Sequence, residues 1–173
     1  MHPDASRRTV VLETAHARLT TWLPADLPEL RALHADPRTM RYMRSGVEDE
    51  LRTRARLDTW LREQAERGWT KWRAEDTGGA MIGRAGFSAS TDGRRRELGY
   101  LLAPAHWGQG LATELARALV HWHEEHPDGV DRALGAFAFA DNLASRRVLE
   151  KVGFTLVGTS DDRGAVITRY LRR

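Results

Sequence analysis

Between Leu98 and Ala118 the chain runs a short apolar strand signal, a proline break, a pair of glycines and a run of strong helix formers in direct succession. Leu98-Gly-Tyr-Leu-Leu102 carries the strand signal, Pro104 ends it, and Gly108 and Gly110 precede the segment LATELARA. Strand, glycine turn and helix start in this order form an anion-binding device. The unpaired N–H groups of the first helical turn converge with the positive end of the helix dipole. Glycine lets the main chain approach a ligand and adopt positive φ without a Cβ clash. The spacing is neither that of a dinucleotide fingerprint nor the Gly-Lys-Ser/Thr of a P-loop, which argues against a dehydrogenase or a nucleotide hydrolase.

Composition narrows the class of protein. A chain of 173 residues suits one domain, 1–173, with a proper core, and 41% hydrophobic content is not that of a disordered chain. Twenty-seven basic residues against 24 acidic leave a net charge of +3, spread along the chain. A nucleic-acid binder concentrates its basic residues in a stripe, so no nucleic-acid partner is expected. A mild excess does suit a ligand carrying several phosphate charges. The absence of cysteine removes disulfides, thiolate metal sites and a cysteine nucleophile. Residues 1–8 (MHPDASRR) lack the apolar stretch of a signal peptide, and no segment has the length of apolar residues that spans a membrane. A cytoplasmic protein without a membrane partner is expected.

The remaining pattern is mixed α/β. Arg18 to Leu23 reads as a strand ended by Pro24, and Asp26 as the cap of a helix carrying Leu27, Leu30 and Leu33. A second helix is predicted from Glu48 to the stop at Gly68. Trp69–Glu75, Ala80–Ser88 and Arg94–Leu102 read as an antiparallel meander with turns at Gly78-Gly79 and Thr91–Gly93. A helix from about Gly110 to His126 follows, then a buried strand at Ala133–Ala140, a helix capped by Asn142 or Asp141 and running through about Val152, and a final hairpin.

Three segments bear chemistry. The glycine turn Trp107-Gly-Gln-Gly110 is the first. In the second, strand alternation puts Glu97 and Gly99 on one face and Leu98, Tyr100 and Leu102 on the other. Glycine inside a strand signals a bulge or a close approach, so Glu97 reads as a base beside a vacant slot; a salt bridge to Arg94–Arg96 is the alternative. The third is Asn142 to Phe154, an Asn-capped amphipathic helix with a glycine stop. His121, His123 and His126 lack the spacing of a helical zinc site, and no metal is expected. Arg94 to Arg96 reads as a solvated cluster at a turn.

Together these segments resemble the GNAT superfamily of acyl-CoA N-acyltransferases, and within it the branch of ribosomal-protein N-terminal alanine acetyltransferases. The resemblance begins at Leu12-Glu-Thr14, Arg18-Leu19 and Trp22–Asp26, and continues through Asp36-Pro37, Met40–Met43, Ile82-Gly83 and Gly86-Phe87. Its specific blocks are Glu97–Tyr100, Trp107–Glu114 and Asn142–Phe154. The phosphate motif Arg/Gln-x-x-Gly-x-Gly/Ala falls on Trp107 to Ala112, with Trp107 replacing Arg/Gln as is usual in this branch.

The resemblance implies a GNAT fold, a mixed and mostly antiparallel sheet flanked by helices. It also implies acetyl-CoA as co-substrate and a primary amine, a protein N-terminus or a small molecule, as acceptor, in a monomer or homodimer. Backbone groups around Trp107, Gly108, Gln109, Gly110, Leu111, Ala112 and Thr113 would bind the pyrophosphate. The strand end at Leu101, Leu102 and Ala103 would pair with the pantetheine amides, and Asn142 would hydrogen-bond the pantetheine arm. The amine would attack the thioester directly, with Glu97 as base and a backbone N–H of the bulge polarising the carbonyl. Many members place a Tyr seven residues after the Asn; that position is Leu149 here, which leaves Ser145 as candidate proton donor to the thiolate. Trp22, Trp69, Trp72, Tyr42, Met43 and Phe87 come from segments that surround the acceptor cleft in this family, whereas Trp60 and Trp122 read as core. The alternative to an enzyme is an acyl-CoA-binding sensor or scaffold module of the same fold.

Overall fold

A computed structural model describes residues 7–127 and 129–173. The first six positions of the segment read above for a signal peptide lie outside the described residues. Strands β1 (Val10–Glu13) and β2 (Ala17–Thr20) form a hairpin. Helices α1 (Leu27–Ala35), α2 (Pro37–Met40) and α3 (Glu50–Arg67) follow. The meander is β3 (Lys71–Asp76), β4 (Met81–Ala89) and β5 (Arg96–Leu102). Helix α4 (Leu111–Glu125), strand β6 (Leu134–Phe139), helix α5 (Leu143–Lys151) and the hairpin β7 (Thr155–Asp162) and β8 (Ala165–Arg172) complete the chain.

All eight strands join one sheet in the order β1-β2-β3-β4-β5-β6-β8-β7. Every pairing is antiparallel except β5 with β6. That parallel seam is short: Glu97 faces Gly135 and Leu98 faces Ala136, after which the two strands separate. The sheet is therefore continuous at one end of the seam and split at the other. This architecture is the mixed, mostly antiparallel sheet flanked by helices that the resemblance implies.

Register sorts the side chains onto two faces. Ala85, Phe87, Leu98 and Leu102 pack beneath Leu111, Leu115 and Leu119 of α4 and Leu149 of α5. Leu115 and Leu119 are fully buried, and each contributes about 2 kcal/mol by leaving water. On the other face Leu101 joins Trp22, Leu30, Met40, Leu57 and Trp60, which belong to α1, α2, α3 and the loop before them. Helix α3 is bounded as its sequence dictates: Asp49 accepts a hydrogen bond from Arg52 N, and Gly68 stops it at φ +73°.

Several local expectations give way. Asp26 does not cap α1 with its side chain; the carboxylate accepts from Leu23 N and binds Arg8 at 2.6 Å, because a short 3-10 turn at Pro24–Asp26 precedes the helix. Arg96 is fully buried rather than solvated. Its guanidinium lies over Trp69, Trp122 and Phe87 and donates to His126 O at 2.6 Å. The expected bulge at Gly99 is absent: β4 and β5 pair without a register shift from Gly83–Leu102 to Ala89–Arg96.

Candidate active site

Where β5 and β6 part, a cavity of about 940 Å³ opens through the sheet. Its walls include the glycine turn at one end, the β5 edge along one side with α5 and the end of β6 across from it, and residues of β3, β4 and the α2–α3 loop at the other end.

The glycine turn has the local geometry its sequence demands. Gly108 and Gly110 sit at φ +72° and +79°, and Gly110 is the N-cap of the 15-residue α4. A Cβ at either glycine would meet no atom within 4 Å, so each faces open space. Gly108, Gly110, Leu111, Ala112 and Thr113 line the cavity; Gln109 does not, and its amide turns back to Ala105 O. Trp107 is half-exposed, and its indole N–H donates to Leu102 O at 2.8 Å, fixing the turn against the strand end.

The strand end sorts itself by hydrogen-bond alternation. Ala103 N donates to Ile82 O, so the backbone groups of Leu101 and Ala103 are turned to β4, and those of Tyr100 and Leu102 face the gap. Leu102 O is already bound by Trp107, which leaves Leu102 N and the Tyr100 backbone groups for a ligand in the gap. Leu101 and Leu102 line the cavity, and Ala103 does not. These orphaned backbone groups and open glycines fit the amides and pyrophosphate of a coenzyme A chain. On the opposite wall Asn142 caps α5 by accepting from Ser145 N at 3.1 Å, and its amide NH₂ is left for a ligand. Asn142 and Ser145 both line the cavity.

Ser145 has a partner that sequence reasoning did not assign. The Tyr100 hydroxyl reaches across from β5 to within 2.9 Å of Ser145 Oγ. Burial pushes the phenol up to about 12, so it stays protonated at neutral pH and can donate to the serine. The same hydroxyl lies 3.2 Å from Ser145 O, so it can donate to that carbonyl while Ser145 Oγ donates to it, or donate to Oγ and leave the serine proton free. Leu149, at the position where a Tyr was sought, is buried in the core under α4.

The Glu97 face also differs from expectation. The slot beside Glu97 is filled: the stem of Lys71 crosses Gly99, where a Cβ would lie 3.0 Å from Lys71 Cε. Lys71 Nζ hydrogen-bonds Ser88 Oγ at 3.1 Å, and Ser88 is the cross-strand partner of Glu97. Glu97 itself lies over Gly135, with Cγ 3.3 Å from where a Cβ there would stand. It does not wall the cavity, but Ser88 and Gly99 beside it do. The alternative reading, a salt bridge of Glu97 with Arg94–Arg96, is not among the ion pairs of the described residues. Instead its charge acts on Lys71 and on Arg44, which pairs with Asp162.

Deeper on the same face Arg84 is 2% exposed. It donates from Nε to His34 Nε2 at 3.1 Å and stacks over Trp60. Burial and the Arg56 charge hold its pKa well below the usual guanidinium value, at about 9. Burial, with Arg84 and Arg56 nearby, lowers the Lys71 ammonium to about 8.

Of the side chains assigned to the cleft, Tyr42 and Met43 do line it, together with Phe139, whose ring lies 6.1 Å from that of Tyr42. Trp22, Trp69, Trp72 and Phe87 are buried core instead. The three histidines serve separate ends: His123 is buried against Arg132 O, His121 pairs with Glu125, and His126 stacks on Trp122.

The acetyltransferase (GNAT) domain family matches residues 16–155, and the chain belongs to it. Among relatives it is similar to the uncharacterized N-acetyltransferase YoaA of Bacillus subtilis, 31% identical over 152 residues, covering 86% of this chain and 84% of that one. Its fold is similar to an acetyltransferase from Agrobacterium tumefaciens (TM-score 0.78, 27% identity, 94% of each chain). It is also similar to RimL, a ribosomal-protein alpha-N-acetyltransferase solved with coenzyme A (TM-score 0.80, 19% identity, 95% of this chain and 97% of that one). No helix among the described residues is long and apolar enough to cross a membrane.

Proposed function

We propose that this chain transfers the acetyl group of acetyl-CoA to a primary amine by direct attack, as a single domain with no metal. The observation that carries the reading is the cavity through the split sheet. It joins the glycine turn on one face to the Lys71–Ser88–Gly99 floor beside Glu97 on the other. Acetyl-CoA supplies an activated acyl thioester; the rest is positioning and proton transfer by this chain.

The turn from Gly108 to Thr113 holds the pyrophosphate on the N–H groups that open α4. Leu102 N and the Tyr100 carbonyl pair with the pantetheine amides, and the Asn142 amide closes the other side. With no bulge at Gly99, the donor to the thioester oxygen is a main-chain N–H that faces the gap, and Tyr100 supplies one. Glu97, directly or through a water, takes the proton of the incoming ammonium. In the arrangement where the Tyr100 phenol donates to Ser145 Oγ, the serine keeps its own hydrogen for the departing sulfur. RimL, which shares the fold, is a ribosomal-protein alpha-N-acetyltransferase, and a protein N-terminus is one acceptor of this kind.

The test is release of CoA from acetyl-CoA with an amine panel, for wild type and Glu97→Gln. The variant is expected to lose about 10²-fold in kcat while binding acetyl-CoA as wild type does. Tight acetyl-CoA binding with no transfer to any amine would replace the enzyme with the sensor module. An unchanged pH–rate curve in the variant removes Glu97 as base.

A further inference from the structure

The charged side chains on the cavity walls carry one sign; besides Lys151 of α5 they gather at the acceptor end. Among the described residues they include Arg38, Arg41, Arg44, Arg56, Lys71 and Arg84 at the acceptor end, and no aspartate or glutamate. Three of these cations are matched nearby: Arg38 by Asp36, Arg44 by Asp162 and Arg56 by Glu48. Arg41, Lys71 and Arg84 have no carboxylate within ion-pair distance among the described residues, and of these Arg41 is exposed over the Tyr42 ring, whereas Lys71 and Arg84 are not exposed. Among the described residues Arg84, 2% exposed, hydrogen-bonds only the neutral acceptors His34 Nε2 and, at 3.9 Å, Met43 Sδ, and the Lys71 amine only Ser88.

Register puts both on the same face as Glu97. Lys71 is opposite Gly86, Gly86 opposite Gly99, and Arg84 opposite Leu101. The Lys71 backbone is thus level with Gly99, two residues or about 7 Å along the strand from Glu97, and its amine returns to the Glu97 level at Ser88. The two charges oppose each other and Arg84 is out of water, while the nearest carboxylates act only at longer range, Glu97 on Lys71 and Glu48, beyond His34, on Arg84. A fixed negative charge arriving between them relieves both costs.

We propose that the acceptor carries an anionic group, a carboxylate or phosphonate, close to its amine, and that Lys71 and Arg84 bind that group while the amine sits at Glu97. The inference rests on the transferase reading above. The acceptor is then a small amino acid or a peptide N-terminus with an early acidic side chain. Polycations such as polyamines and aminoglycosides are disfavoured by the same charges.

The experiment uses the full chain with acetyl-CoA and acceptor pairs that share an amine and differ by one charge. For the small-molecule source the pair is 4-aminobutyrate and 4-aminobutanamide. For the peptide source it is glycyl-glutamyl-glycinamide and glycyl-glutaminyl-glycinamide. Spermidine and kanamycin form the cationic arm. In at least one pair the acid is expected to exceed its amide by about tenfold or more in kcat/KM, with the cations turned over least. Lys71→Met should bring the acid-to-amide ratio of kcat/KM down to about one, whatever the loss of its charge beside Glu97 does to both rates, a change of ratio that a merely structural lysine would not produce. Equal or faster turnover of the amides or the cations overturns the inference and leaves the transferase standing. Should no amine be acetylated, the transferase reading fails on its own. Calorimetry of the same pairs against CoA-loaded wild type then decides the anion site: tighter binding of the acids supports it, and equal binding overturns it. Because Arg84 is buried, none of these outcomes depends on replacing it.

Discussion

Replacing Gly110 by alanine separates what the glycine does for the fold from what it does for the ligand. At φ +79° an L-residue is strained by about 1–2 kcal/mol, and the stiffer unfolded chain returns about 0.4–1 kcal/mol of that. Nothing lies within 4 Å of the new Cβ, so no packing cost is added. The net loss of about 1 kcal/mol corresponds to a Tm about 2–4 °C lower for a chain of this length. The methyl group nevertheless projects into the space where the phosphates would rest on the α4 N–H groups. Losing one hydrogen bond to a charged oxygen costs about 1.5–3 kcal/mol, or about 10- to 150-fold in Kd for acetyl-CoA. Gly93 supplies the control. Its φ is +69°, its Cβ would also meet nothing within 4 Å, and it does not line the cavity. Gly93→Ala should show the same Tm loss with acetyl-CoA affinity unchanged by titration calorimetry. If Gly110→Ala binds acetyl-CoA as tightly as Gly93→Ala, the turn does not hold the pyrophosphate.

Two other perturbations follow from the site. Ser145→Ala and Tyr100→Phe are each expected to lower kcat by about 3- to 10-fold, a modest loss because a thiolate with a solution pKa near ~8.5 also leaves unprotonated. The double variant should be no slower than the worse single one; additive losses in steady-state assays would show that the two hydroxyls do not act as a unit. Lys71 titrates near 8 in the folded protein against 10.5 as a free side chain, so between those values the unfolded chain holds the extra proton and stability rises with pH. Lys71→Met lacks this slope, so urea denaturation should show it more stable than wild type at pH 7 and the difference shrinking toward pH 10; a pH-independent difference would contradict the burial of that ammonium.

The order of elements was legible because its signals are local. Leu111, Leu115 and Leu119 recur at helical spacing, Gly68 stops a helix, and Gly108 with Gly110 announces a turn that needs positive φ. β1 escaped notice because Val10–Glu13 shows no alternation and two of its four residues are exposed. The rest of the site depends on register. Which of Arg94, Arg95 and Arg96 is buried is decided by the Trp69–Phe87–Trp122 cage, whose members lie far apart in sequence. Alternation put Tyr100 on the helix-facing side, but only the seating of α5 brings its hydroxyl to Ser145. Lys71 fell inside a strand read for its tryptophans. Its approach to Gly99 follows from two successive cross-strand pairings that no single segment encodes.

The two-residue seam between β5 and β6 has a mechanical consequence. Residues up to Leu102 build one half of the sheet and residues from Leu134 the other, so the seam is a fault line between two sequence-contiguous halves. A pantetheine chain lying in the split would act as an extra strand spanning that line, stitching Tyr100 and Leu102 to the far side. Ligand bound only to the folded state stabilises it by about 2.7 kcal/mol at a hundredfold excess over Kd. Here that stabilisation would be spent locally, on keeping the halves shut. Amide exchange at Tyr100 and Leu102 is the gauge: fast in the free chain, slow once the gap is bridged.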